Sequence, residues 1–149
     1  MRAVVQRVRE ASVTVDGEVV GRIGAGFLVY AAAAPDDGSG DIEYIAEKVA
    51  GLRVFLDEAG KMNRGVAEVG GAVLLISAFT VLADARKGRR PSFAGSASGE
   101  VAAPLIEQLT AAIRARGIAV ESGRFAAHML VSAVNDGPIC VLLDSRRLL

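Results

Sequence analysis

Three short segments of this chain combine residue types that do chemistry. Ser77-Ala78-Phe79-Thr80 places two hydroxyls at the end of an apolar run. Where a strand ends, its backbone N–H groups leave the ladder and become free to hold an anion, and a hydroxyl there can position water. The plainer reading is a strand terminus whose hydroxyls bond locally. Arg86-Lys87-Gly88-Arg89-Arg90-Pro91-Ser92-Phe93 packs four basic side chains into five residues, with an aromatic ring beside them. That composition suits phosphates and stacked bases, and equally suits a solvated loop. Asn135-Asp136-Gly137-Pro138 reads as a turn between two strands. A cis bond before proline has a general frequency of roughly 5–6%, and a cis turn would aim its carbonyls in a fixed direction.

Much familiar catalysis is excluded. The chain has one histidine, one cysteine and no tryptophan. His128 and Cys140 invite a test as a nucleophile pair. If residues 135–138 form a hairpin turn, His128 lies about 17 Å from the position facing Cys140 and on the opposite face of the sheet. The spacing therefore predicts a solvated or satisfied strand histidine and a small, buried apolar cysteine. A Ser-His-Asp triad would need the same single histidine. Gly21, Gly24 and Gly26 precede a strand, whereas a dinucleotide fingerprint follows one. One cysteine and one histidine cannot build a cysteine-rich zinc site. What remains is chemistry by backbone groups, or a substrate that supplies its own reactive group.

The elements that must position these segments are legible in outline. Ala3–Val8, Ser12–Val15 and Glu18–Val20 read as strands, and Asp16-Gly17 is a hairpin signal of type I′. Phe27–Ala33 is a continuous apolar run, as in a buried strand, and Val73–Phe79 is the most β-like run of the chain. Ile42, Ile45, Ala46, Val49 and Leu52 recur at helical spacing behind Asp41 as a cap. A turn falls at 57–61, and Asp84–Ser98 is a long loop. A second helix is expected near Ala103–Arg116, with Pro104 in its first turn and Gly117 closing it. Strands follow at 118–121, 127–134 and 139–143, and the tail from Ser145 is expected to fray. Blocks of strands without regular βαβ alternation predict an α+β fold, as one domain over residues 1–149.

Composition bounds the class. Hydrophobic residues make up 52% and charged residues 23%, with 17 basic against 17 acidic side chains. The apolar content rules out disorder, and the balance rules out a strongly basic coat without excluding a local patch. No apolar run reaches the ~18 residues of a membrane span, and MRAVVQRVRE has no signal-peptide pattern, so a cytoplasmic protein is expected.

Taken in order along the chain, several motifs resemble the D-aminoacyl-tRNA deacylase family, also called D-tyrosyl-tRNA deacylases. They are Gln6-Arg7-Val8 with Ala11-Ser12-Val13, Gly24-Ala25-Gly26, Gly60-Lys61-Met62-Asn63, Ser77–Thr80, Arg90-Pro91-Ser92-Phe93, Gly123-Arg124-Phe125 and Asn135–Pro138. The resemblance implies a compact, mostly antiparallel barrel-like α+β domain with two main helices, forming a homodimer with active sites at the subunit interface. It implies hydrolysis of the ester in tRNA charged with a D-amino acid or glycine, with no metal or cofactor. It assigns catalysis to Ser77, Ala78, Phe79 and Thr80, whose backbone N–H groups would hold the oxyanion while the ribose 2′-hydroxyl helps activate water. It makes Gly137-Pro138 a cis filter that enters the partner's site and excludes L side chains. Arg86, Lys87, Arg89, Arg90 and Phe93 are the expected tRNA contacts.

Three positions depart from the family pattern. Ala78 stands where the pattern has glutamine, Cys140 where it has threonine, and His128 where an acidic residue is common. The lost amide leaves open a weakened enzyme or a non-catalytic tRNA-binding homologue. An esterase acting on another small acyl ester is a further reading, one that would not need the basic loop.

Overall fold

The computed structural model describes residues 1–149. Eight strands and two helices follow in the order β1 (Arg2–Val15), β2 (Glu18–Ile23), β3 (Gly26–Ala32), α1 (Ser39–Gly51), β4 (Phe55–Leu56), β5 (Met62–Arg64), β6 (Ala72–Ser77), α2 (Gly99–Arg114), β7 (Ala119–Ser122) and β8 (Leu130–Asp144). A 3-10 turn, Phe79–Leu82, follows β6. Strand β1 organises the sheet. One edge pairs antiparallel with β3 over residues 2–8 and with β2 over residues 11–15, and the other edge pairs with β8. The turn into β2 has positive φ at both Asp16 (48°) and Gly17 (80°), as the hairpin signal requires. Beyond β3 the pairing becomes parallel, through β6 to β7. The sheet curls until β2 meets β7. A Cβ on Gly21 would sit 2.8 Å from the Ser122 carbonyl oxygen, so only glycine fits that approach. The result is a nearly closed, mostly antiparallel barrel with two helices, the α+β class expected.

Strands β3 and β6 are buried on both faces, which explains their unbroken apolar runs. One face packs Phe27, Val29, Val73 and Leu75 against Ile45 and Val49 of α1 and Leu109 and Ile113 of α2. The other face turns Leu28, Leu74 and Ile76 into the barrel, with Val8, Ala11, Val13 and Ile23. Asp41 is the third residue of α1 and accepts the Gly38 N–H at 2.9 Å, so it supports the helix start from within.

Several expectations are corrected. The two predicted strands at 3–8 and 12–15 are one strand, bent where the register shifts between Val8 and Glu10. Helix α2 starts at Gly99, so Pro104 lies beyond the first turn. Residues 135–138 are no hairpin turn, because both halves of β8 run along β1 in one direction. The tail does not fray at Ser145: its Oγ donates to Asp41 Oδ1 at 2.5 Å, and Arg146 pairs with Asp36. Strands β4 and β5 form a small hairpin around the turn expected at 57–61.

Candidate active site

The site starts where β6 ends. Ala78 still donates its N–H to the Ala31 carbonyl at 2.9 Å, one step past the strand. That donor is committed, which corrects the expectation that residue 78 offers a free N–H. The 3-10 turn then begins, and Val81 N–H returns to the Ala78 carbonyl at 3.0 Å. The Phe79 and Thr80 N–H groups are first-turn donors with no partner inside the turn. Beside them lies a cleft of about 360 Å³ with mainly apolar walls, lined by Ser77, Ala78, Phe79, Gly99, Phe125 and Met129 among others. A cleft of this kind excludes water from its walls and strengthens any hydrogen bond made at its polar end.

The basic loop joins this site. Asp84 and Ser92 exchange two main-chain hydrogen bonds of 2.8 Å, closing residues 85–91 into a finger. Phe93 follows and meets Phe79 edge-on, with centroids 5.1 Å apart, while Ser96 Oγ donates to the Phe79 carbonyl at 2.9 Å. Within the finger, Arg86 is neutralised. Its guanidinium grips Asp84 through contacts of 2.9 and 2.6 Å, and this holds the Asp84 carboxyl far below the usual carboxylate range. Lys87, Arg89 and Arg90 are exposed and form no ion pair.

Gly137 and Pro138 lie elsewhere. Val8 pairs with Asn135 and Gln6 with Cys140, so residues 136–139 bulge from β8 opposite Arg7 alone. The Gly137-Pro138 peptide is cis. Arg7 is buried behind the bulge. Its Nε donates to the Asp136 carbonyl at 3.1 Å and its other arm to the Val54 carbonyl. From Ser77 the bulge is three strand spacings across and about four residues along, roughly 20 Å. One chain therefore does not bring its two motifs together.

Sequence reasoning gave Arg7 no role of its own, although a signal was present. Ala3, Val5 and Arg7 occupy the same alternating buried positions, and a charge in that series needs partners. Cys140 is exposed, which corrects its predicted burial, and His128 is exposed in the segment before β8 rather than within a strand. They are far apart for a different reason than the hairpin argument supposed. Cys140 faces Gln6 and Leu130 faces Thr14, eight residues along β1, or about 26 Å. No three histidine, cysteine or acidic side chains cluster to hold a metal ion.

The family profile for D-Tyr-tRNA(Tyr) deacylase matches residues 4–144. A D-aminoacyl-tRNA deacylase of Syntrophobacter fumaroxidans is 55% identical over 147 residues, covering 99% of each chain. That of Anaeromyxobacter dehalogenans is 56% identical over 148 residues, again covering 99% of each. Among solved structures, a c-Myc DNA unwinding element binding protein superposes with a TM-score of 0.90 at 35% identity, covering 97% of this chain and 98% of its own. Family profile and relatives together define a tRNA deacylase. The chain belongs to the D-aminoacyl-tRNA deacylase family.

Proposed function

We propose that this chain is an editing hydrolase that cleaves the ester of D-aminoacyl-tRNA, and of mischarged glycyl-tRNA, in the cytoplasm. Full-length likeness to enzymes named D-aminoacyl-tRNA deacylase, at 55% identity, is the observation that carries this reading. Those relatives lend no support to a non-catalytic homologue.

In the proposed reaction, water adds to the ester carbonyl carbon and the carbonyl oxygen gains charge. The Phe79 and Thr80 N–H groups receive that oxyanion, and each such preorganised donor is worth about 3–4 kcal/mol. The neighbouring ribose 2′-hydroxyl assists the water, and collapse releases the amino acid and the tRNA 3′ terminus. An activated ester needs no metal or cofactor for this. Thr80 has an exposed side chain that makes no hydrogen bond to another side chain, and we assign its hydroxyl a positioning role.

Chirality is enforced by a second copy. The roughly 20 Å between Ser77 and the Gly137-Pro138 bulge supports a homodimer in which each bulge enters the other's cleft. The exposed Leu142 on β8, just past the bulge, supports the same arrangement. Rejection by clash suits the task, because a missing contact alone discriminates by only about 1–3 kcal/mol. Lys87, Arg89, Arg90 and Phe93 would hold the acceptor strand, with Arg86 shaping the finger.

Single-turnover release from D-tyrosyl-tRNA and L-tyrosyl-tRNA tests the reading. Rapid release of the D form alone is expected. Equal release of both forms removes the chiral filter from the account, and release of neither removes the activity.

A further inference from the structure

A second cleft, of about 510 Å³, lies across β1, β2 and β8, away from the catalytic segment. Its walls include Arg9, Ser12, Arg22 and Ser132. The register explains the grouping. Ser12 is the cross-strand partner of both Arg22 and Ser132, so the three side chains form one row on one face of the sheet. That face is opposite Ala11 and Val13, which fill the barrel. Arg9 is the extra residue where the β1 register shifts between Val8 and Glu10, and such a bulge re-aims its side chain.

The charges here are available. Arg22 is exposed and forms no ion pair. Arg9 is 77% exposed and only grazes Asp136, at 3.9 Å. Glu10 also lines the cleft and leaves it with one net positive charge. Two guanidiniums above a row of hydroxyls offer the donors that a phosphodiester accepts, with forked geometry on each arginine.

We propose that this cleft is a phosphate subsite for the RNA backbone of the substrate, separate from the Arg86–Arg90 finger. The inference rests on the tRNA reading above. It adds a location: the Arg9–Asp136 contact sets the cleft beside the Gly137-Pro138 bulge. Whichever site receives that bulge also receives Arg9 beside it, with Arg22 further along the same cleft, so a strand docked on one chain's finger continues onto the other chain's cleft.

The test uses the full-length protein and its Arg22→Glu and Arg22→Lys variants, with uncharged tRNA binding measured by fluorescence anisotropy across salt concentrations. Loss of one phosphate contact predicts about tenfold weaker binding near 0.1 M salt for Arg22→Glu, and a salt slope smaller by about one. Arg22→Lys keeps the charge and should recover part of the affinity. Unchanged affinity and slope in Arg22→Glu overturn the proposal. A second readout separates the site from the scaffold. Hydrolysis of D-tyrosyl-adenosine, which has no phosphodiester, should proceed at the unaltered kcat and KM in Arg22→Glu. Equal damage to both substrates would also overturn the proposal, by showing that Arg22 acts through the fold. If the unaltered chain binds tRNA but hydrolyses neither ester, the enzymatic reading fails, and the binding data still decide the subsite.

Discussion

Position 78 concentrates the chemical question. Its N–H is bonded to the Ala31 carbonyl, and alanine stands here where the family pattern has a glutamine amide. If Phe79 and Thr80 supply the oxyanion donors, Ala78→Gln should change kcat by less than about tenfold, the scale of one hydrogen bond. A hundredfold gain would move catalysis to the amide. For Thr80, the expected pattern is retained kcat in Thr80→Ser and a loss of about tenfold or more in Thr80→Val, with KM little changed. A covalent acyl-enzyme trapped by rapid quench would overturn the positioning role. At Arg7, two carbonyls on different elements share one guanidinium, a task lysine's single ammonium does not reproduce. Arg7→Lys should lower the urea midpoint and weaken the preference for D over L substrate, because the bulge loses its brace.

At the scale of elements, the finger is held at both ends, by the Asp84–Ser92 bonds and by Phe93 against Phe79. Arg86 spends its charge on Asp84, so Arg86→Ala should weaken tRNA binding less than Arg89→Glu or Arg90→Glu, as filter binding at two salt concentrations would show. The sequence made this segment visible through charge density alone, and it could not show which arginine was already paired. Runs of apolar residues marked β3 and β6 correctly, since double burial leaves no alternation to misread. Asn135–Pro138 misled for a physical reason. Asn, Asp, Gly and Pro are turn formers whether the chain reverses or merely bulges, and only the register against β1 separates the two outcomes. The same limit hid the distance between the Ser77–Thr80 segment and the Gly137-Pro138 bulge, which depends on sheet order rather than on any local signal.

At the scale of the whole molecule, the proposed homodimer is tested by solution behaviour. Sedimentation at micromolar concentration should show a dimer, and Cys140, two residues past Pro138, should react with maleimide more slowly as concentration rises. Concentration-independent labelling would argue against an interface on β8. Acid should weaken the corner where the tail meets α1. The Arg146 hydrogen bond holds the Asp36 carboxyl below its ordinary value. For Asp41, burial pushes upward but is outweighed by hydrogen bonds from Ser145 and Gly38, so its pKa is lowered too. Depressed carboxylates add stability above their unfolded pKa of about 3.9 and lose it as pH falls through the folded value. Thermal melts should therefore be flat from pH 7 to 5 and fall below about pH 4, and Asp36→Asn should blunt the fall. The pairing of β1 with β8 also bears on how the protein is made. Residues 2–14 wait for 130–144, on the order of ten seconds at ~5–20 residues per second on the ribosome. Throughout that interval the nascent barrel presents an open strand edge. Early termination before Leu130 would leave that edge permanently unpaired, a product for chaperones and proteases rather than a smaller enzyme.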